Sequence, residues 1–570
     1  MTGLDPARPS LRIGNCSGFY GDRLSAMREM LEDGPLDVLT GDYLAELTML
    51  ILGRDQLKDP SLGYARTFVR QVEDCLGLAL ERGVKLVSNA GGLNPAGLAA
   101  RLQEIAAAQG LSPAIAYVHG DDVRSLGMTG ALTANAYLGG FGIAEALSSG
   151  ADIVVTGRVT DASLVVGPAV AHFGWDPTAY DELAGAVVAG HVLECGTQAT
   201  GGNFSGFLAI PDPGRPLGFP LAVVHEDGSS VVTKHGGTGG MVTLDTVTAQ
   251  LMYEVQSTRY LGPDVTAHLD TVRLGDDGPD RVRISGVCGS APPEQLKVCV
   301  NELGGHRNSV DFVLTGLDVE AKAAWVRAQL EPRLTASSVT WTLGPLPRPD
   351  ADTEEGASTL LRCTVQDASA EAVGRGFSSA AVELALASYP GFTMTAPPGP
   401  GSPYAVYRAE YVDRSSVTHT VTHADGHEVV VDDPPGIGDD NVDELRLPVY
   451  AARGEVLRRP LGSFVHARSG DKGGDANLGL WVARDGHPSY DDRVAWLLGL
   501  VTRAFVHDLL PETAPLPIEV FALPELGGVN VVIHELLGRG VAASTRFDPQ
   551  AKGLGEWARS RLVDVPEELL

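Results

Sequence analysis

Asp161, His191 and Glu194 are the side chains of this sequence best spaced for proton transfer. His191 and Glu194 lie three residues apart in a helical pattern, so they project from one face, and an imidazole beside a carboxylate can share acid–base work. Arg158 and Asp161 sit together in Thr156-Gly157-Arg158-Val159-Thr160-Asp161, after a strongly apolar run. Arg158 suits bidentate capture of a carboxylate or phosphate, with Asp161 orienting the ligand or acting as base; alternatively the two pair and fix the loop. Asp42 and Glu46, four apart, are expected on one helix face, either sharing a proton, binding Mg²⁺ or Mn²⁺, or serving as cap and solvated partner. Cys195 follows closely and admits a nucleophile reading, although a small buried cysteine is the commoner role. No dense metal-ligand spacing accompanies these residues, so the metal stays unassigned.

These residues need a scaffold, and the hydrophobic pattern describes one. Leu11–Gly14, Leu36–Thr40, Lys85–Asn89, Ala114–Val118 and Ile153–Thr156 are short apolar runs separated by helical patterns. Strands buried on both faces with helices between them predict a parallel α/β sheet. Each run is followed by a polar, glycine-bearing segment. The first holds Ser17 and Gly18, the second Asp42, the third Asn89, Gly91 and Gly92, the fourth Asp121, and the fifth Arg158 and Asp161. Ligands bind outside the carboxyl ends of such strands, so the five segments are expected to meet on one rim. Amides of Gly18, Gly91 and Gly92 are candidate oxyanion donors there. Good turns and helix caps use the same residue types, which is the plainer reading of any one segment.

Past Gly240 the texture changes to threonine- and valine-rich alternation mixed with helices. Residues 1–245 read as α/β, residues 246–445 as α+β, and residues 446–570 as a small ferredoxin-like α+β unit of two strand pairs and two helices. The tail carries Arg468-Ser469-Gly470-Asp471-Lys472-Gly473-Gly474-Asp475-Ala476-Asn477 between two strands. Arg468 and Lys472 offer positive potential for an anionic small molecule, with Asn477 as a further polar contact.

The 570 residues hold 43 Lys+Arg against 72 Asp+Glu, a formal charge of −29, which disfavours nucleic-acid backbones. The six cysteines form no CxxC pair, so they read as reduced and the protein as cytoplasmic. The sequence shows neither a signal-peptide pattern nor an apolar run long enough to cross a membrane. A homo-oligomer is expected only on the base rate for metabolic enzymes.

The segments Gly14–Asp22 (GNCSGFYGD), Thr40–Glu46 (TGDYLAE), Ser88–Pro95 (SNAGGLNP), Thr156–Ala162 (TGRVTDA), Cys195–Phe204 (CGTQATGGNF) and Ala467–Gly479 (ARSGDKGGDANLG) resemble the acyclic terpene utilisation family, AtuA, over nearly the whole chain. The resemblance implies catabolism of branched acyclic terpenoids as coenzyme A thioesters, and a ferredoxin-like C-terminal domain. It brings no catalytic residues, so the candidates above rest on side-chain chemistry alone. The expected activity is hydration/dehydration or carbon–carbon lysis of an acyl-CoA or carboxylate through an enolate, with Asp161, His191 and Glu194 as acid–base groups. The alternatives are a scaffold for an acyl-CoA carboxylase and a hydrolase using Cys195 or a metal. No cofactor is assigned beyond the thioester as substrate.

Overall fold

The computed structural model describes residues 4, 9–438, 447–451 and 454–570. Its first strands are β1 (Ser10–Asn15), β2 (Val38–Gly41), β3 (Lys85–Ser88), β4 (Ile115–His119), β5 (Thr133–Ala136) and β6 (Ile153–Thr156). The five apolar runs become β1, β2, β3, β6 and β4, which pair in that order and all in parallel. Every residue of β2, β3 and β6 is buried, as a two-faced sheet requires.

The sheet continues beyond this parallel centre. Strands β7 (Pro220–His225) and β8 (Ser230–Lys234), then Arg281–Ser285 and Arg273–Asp276, add antiparallel strands beside β1, while Thr420–Thr422 and Glu428–Val430 extend it beyond β4. Eleven strands form one sheet.

Helices cover both faces. On one side α1 (Ala26–Asp33), α3 (Arg66–Arg82) and α4 (Pro95–Ala108) pack over Leu39, Leu86 and Val155. On the other lie α5 (Phe141–Ser148), α6 (Ser163–Phe173) and α7 (Tyr180–Leu193). Helix α7 is apolar all round, and every residue from Leu183 to Leu193 is buried. That burial is why His191 is an interior residue. Helix α2 (Glu46–Lys58) starts later than the sequence suggested. Asp42 therefore lies in the loop before it, not on its face.

The tail is a four-stranded antiparallel sheet in the order Val465–Lys472, Asp475–Val482, Gly528–Ile533, Ile518–Leu523. Its first hairpin strand runs on through Lys472 to a two-residue turn at Gly473-Gly474, so Arg468 sits on a strand and not in a loop. Later in the tail run two helices, Tyr490–Leu500 and Arg503–Leu509. The second begins where the Thr502 hydroxyl accepts the Phe505 amide at 3.2 Å. Alternation along Asn477–Val482 serves two cores. Leu478, Leu480 and Val482 face the tail's own helices, while Gly479 and Trp481 face α8 (Leu244–Leu251) and Met252.

The chain divides into two compact units. One comprises Met1–Asn301, Tyr407–Val541 and Gln550–Leu570; the other, Glu302–Val406 with Ala542–Pro549. Within the second, helices Val319–Leu330 and Arg375–Val382 pack on an antiparallel sheet around Phe312, Val326 and Leu361. The boundary expected at 245/246 falls inside α8, and the one at 445/446 lies outside the described residues. No helix among the described residues is long and apolar enough to cross a membrane.

Two glycines test this packing in opposite directions. A Cβ on Gly91 would lie 2.4 Å from the Thr156 carbonyl oxygen, whereas one on Gly77, exposed in α3, meets only the Leu111 Cδ1 at 4.0 Å. Gly91→Ala is expected to lower stability by about 2 kcal/mol or more. Gly77→Ala is expected to raise it by roughly 0.5–1 kcal/mol. Denaturant unfolding of the two variants checks both signs.

Candidate active site

Outside the carboxyl ends of β1, β2 and β6 lies a cavity of about 820 Å³, within the range of small-molecule sites. Its central cation is Arg158, 3% exposed. Arg158 donates from Nη1 to the Leu44 carbonyl at 3.1 Å and from Nη2 to Asp161 Oδ1 at 2.9 Å, and its guanidinium stacks 4.2 Å from the centre of the Tyr137 ring. Its backbone amide donates to Asp121 Oδ2 at 2.9 Å, which also accepts Asn135 Nδ2 at 2.8 Å. Burial opposes the charge, but Asp161, Tyr137 and Asp42 outweigh it, so the guanidinium stays protonated.

Two carboxyls flank this cation. The Asp161 side chain keeps 28% of its surface, turned toward the cavity, and burial pushes its pKa up to about 7 against the pull of Arg158. Asp42 is 4% exposed and accepts Asn89 Nδ2 at 2.6 Å and the Leu44 amide at 3.0 Å. Burial and then the charge of Asp161 raise it well above the carboxylate range despite Arg158 and Asn89. Two carboxyls sharing one guanidinium resist simultaneous ionisation, which leaves a proton available near neutrality.

Nearby, His191 Nδ1 donates to Glu194 Oε1 at 3.0 Å. Burial works against charge on His191, but Glu194 prevails and raises it, which favours an imidazolium–carboxylate pair. Glu194 lines the cavity and its Oε2 makes no hydrogen bond among the described residues. Cys195 lines it too. Burial, with Glu194 and Glu254 nearby, pushes its thiol well up, so it is protonated and a poor nucleophile at neutral pH.

The tail completes the enclosure. Asp471 and Lys472 reach the cavity from the end of Val465–Lys472, and Lys552 joins them. Asn477 Oδ1 accepts the Glu254 amide at 2.8 Å, fixing a residue with φ of 57° whose side chain faces the same space. Lys552 stands 3.6 Å from Glu254 and 3.7 Å from Asp471. Burial, then Glu254, pushes Asp471 up to about 7, with Lys552 opposing.

The sequence model of the acyclic terpene utilisation family protein AtuA matches residues 11–423, and that of the AtuA ferredoxin-like domain matches residues 459–564. The chain belongs to the AtuA family. Membership carries a role in acyclic terpene utilisation. No curated protein sequence matches the chain.

The AtuA rim gathers the expected residues unequally. Gly18, Asp42, Arg158, Asp161, Glu194 and Lys472 line the cavity. Asn89, Asp121 and His191 stand behind it, bonded to Asp42, Arg158 and Glu194 respectively. Ser17 is buried, its amide donating to Asn15 Oδ1 at 2.7 Å and its carbonyl accepting the Asp42 amide at 2.9 Å. The candidate oxyanion amides are engaged elsewhere: Gly18 N donates to Asp22 Oδ2 at 3.0 Å, and Gly92 N to the Asn89 carbonyl at 3.1 Å. Gly91 packs against Thr156, away from the cavity. Asn477 acts through Glu254. Arg468, 4% exposed, stacks 4.1 Å from the Tyr253 ring centre and donates to Gln198 Oε1, joining the tail to the segments after α7 and α8.

Sequence reasoning missed Lys297, Glu254 and Lys552. A lysine within the apolar alternation Leu296-Lys297-Val298-Cys299-Val300 was a usable signal for the first; nothing local marks the other two. Arg468→Ala is expected to cost about 2–4 kcal/mol by leaving buried acceptors unpaired, seen as a lower unfolding midpoint. A variant of unchanged stability that instead lost ligand affinity would return Arg468 to the cavity.

Proposed function

We propose that this chain is an enzyme of acyclic terpenoid breakdown, acting on a branched acyl thioester or carboxylate by hydro-lyase or carbon–carbon lyase chemistry through an enolate. One observation carries this reading. Asp161, a carboxyl titrating near neutrality, faces a substrate-sized cavity beside the cations Arg158 and Lys472. An enolate-forming reaction needs those elements together: a base for the α-proton and fixed positive charge for the oxygen that becomes negative.

In this scheme Asp161 takes the α-proton, and Arg158 holds the substrate carboxylate or the enolate oxygen. Lys472 adds charge from the tail. Burial disfavours its ammonium, but Glu254, Glu46, Glu194 and Asp161 outweigh that and keep it charged. Glu194, which lines the cavity, meets a hydroxyl at the β-carbon, with His191 behind it as proton reserve.

Two other readings have less support. A scaffold has no need of buried carboxyls with raised pKa values lining a substrate-sized cavity. A cysteine hydrolase needs a thiolate, which burial of Cys195 disfavours.

Asp161→Asn is expected to lower turnover of a branched acyl-CoA at least about 100-fold while the variant remains folded. In the parent enzyme kcat/KM rises with pH through about 7, as Asp161 loses its proton. The sign for stability is opposite. The folded carboxyl holds its proton more tightly than the unfolded one, so its contribution is full below about pH 4. That contribution is lost as pH rises through about 7, and the variant removes this slope. Undiminished turnover in the variant would remove Asp161 from the reaction.

A further inference from the structure

We propose that Lys297 is a covalent catalyst, whose ε-amine condenses with the oxo group of a branched β-oxo carboxylate and carries it as an imine through carbon–carbon cleavage. The inference rests on reading the cavity as an acid–base site and narrows that reading to a substrate class and one of its two reactions.

The placement of Lys297 follows from the strand that bears it. In Gln295–Thr315, residues Val298–Asn301 pair with β5. Leu296, Val298 and Val300 alternate into the main core, which leaves Lys297 and Cys299 on the opposite face with Tyr137 and Leu44. A lysine at the end of that face reaches the cavity.

Its surroundings are unusual for so acidic a chain. Buried lysines elsewhere have carboxylates: Lys85 with Asp152 at 2.8 Å and Lys234 with Asp280 at 3.1 Å. Lys297 Nζ makes no hydrogen bond or ion pair among the described residues. It lies 5.2 Å from the Tyr137 ring centre and 5.9 Å from that of Tyr407. Burial, then the charge of Lys472, lowers Lys297 to about 8 although Glu46 opposes, while Lys472 itself is held charged by acids. Two lysines in one cavity are thus pushed apart in function, one a permanent cation suited to an anionic group and the other an amine with a useful neutral fraction. Desolvation beside a second cation is how an amine becomes nucleophilic near neutral pH.

The step balances without any further reagent. The neutral amine adds to the carbonyl carbon, forming C–N. The resulting hydroxyl takes a proton, for which Asp161 on the lining of the same cavity is an acid, and leaves as water. The bond between the α-carbon and the adjoining carboxylate carbon then breaks, its electron pair moving toward the iminium nitrogen as an enamine forms, and carbon dioxide leaves. Protonation of the enamine carbon and attack of water release the ketone and restore Lys297.

The test uses the full-length protein, acetoacetate as probe and sodium borohydride as trap, with peptide mass mapping. The expected result is a reduced adduct on Lys297 that requires acetoacetate, at an occupancy at least about tenfold above exposed Lys58. Lys297→Arg retains the charge and the fold by circular dichroism but shows no adduct in the cavity. Adduct on Lys472 instead, or only on exposed lysines, overturns the proposal. A thermal shift by acetoacetate that Lys472→Met abolishes, without any adduct, also overturns it while leaving the cavity a carboxylate site. Neither shift nor adduct sinks both readings.

Discussion

A single buried guanidinium organises this molecule. Arg158 is only 3% exposed, so its charge is answered largely by the protein, and each answer comes from a different stretch of chain: a carbonyl after β2, an aromatic face beyond β5, a carboxylate in its own loop, and an aspartate after β4 that holds its backbone. Leaving such a charge unanswered in the interior is far costlier than leaving any of these groups exposed. The loops are consequently tied to one point, and the cavity owes its shape to that tie. The raised carboxyls nearby follow from the same economy of charge, since one cation cannot keep two buried acids fully ionised.

The tail is part of the same electrostatic design. Its sheet is apolar on both faces because each face packs on a different core, and glycine at position 479 lets the strand approach Met252 closely. That approach delivers Asp471 and Lys472 to a space whose other walls come from loops after β1, β2 and β6 and from later segments such as 253–266 and 293–297. An acidic protein thereby sets Arg158, Arg259, Lys297, Lys472 and Lys552 among carboxyls around one cavity, where a lower dielectric strengthens the effect of each charge on a ligand.

Much of the scaffold was legible in the sequence. Double-faced burial left continuous apolar runs at β1, β2, β3, β4 and β6, and the polar segments after them could belong only at strand ends. The antiparallel wings were not legible, because Thr420–Thr422 joins β4 through register contacts made hundreds of residues away, with no local mark. The start of α2 was misplaced since Asp42 looks like a cap but instead bonds Asn89 and Leu44. Residues named for their backbone amides proved harder to read than those named for side chains. An amide's availability depends on which acceptor lies in front of it, and for Gly18 and Gly92 that acceptor is in the protein itself. Lys297 shows the converse, a charge set in an apolar strand and visible as an anomaly before any coordinates.

The walls of the cavity run from Gly18 to Lys552 along the chain. Such a chamber cannot exist on a ribosome partway through translation. Closing it demands contacts of great sequence separation, the kind that form late and slowly. A nascent chain therefore carries loose carboxyls and cations but no chamber, and reactive intermediates of the cell meet the chemistry only once the last wall has been synthesised and docked.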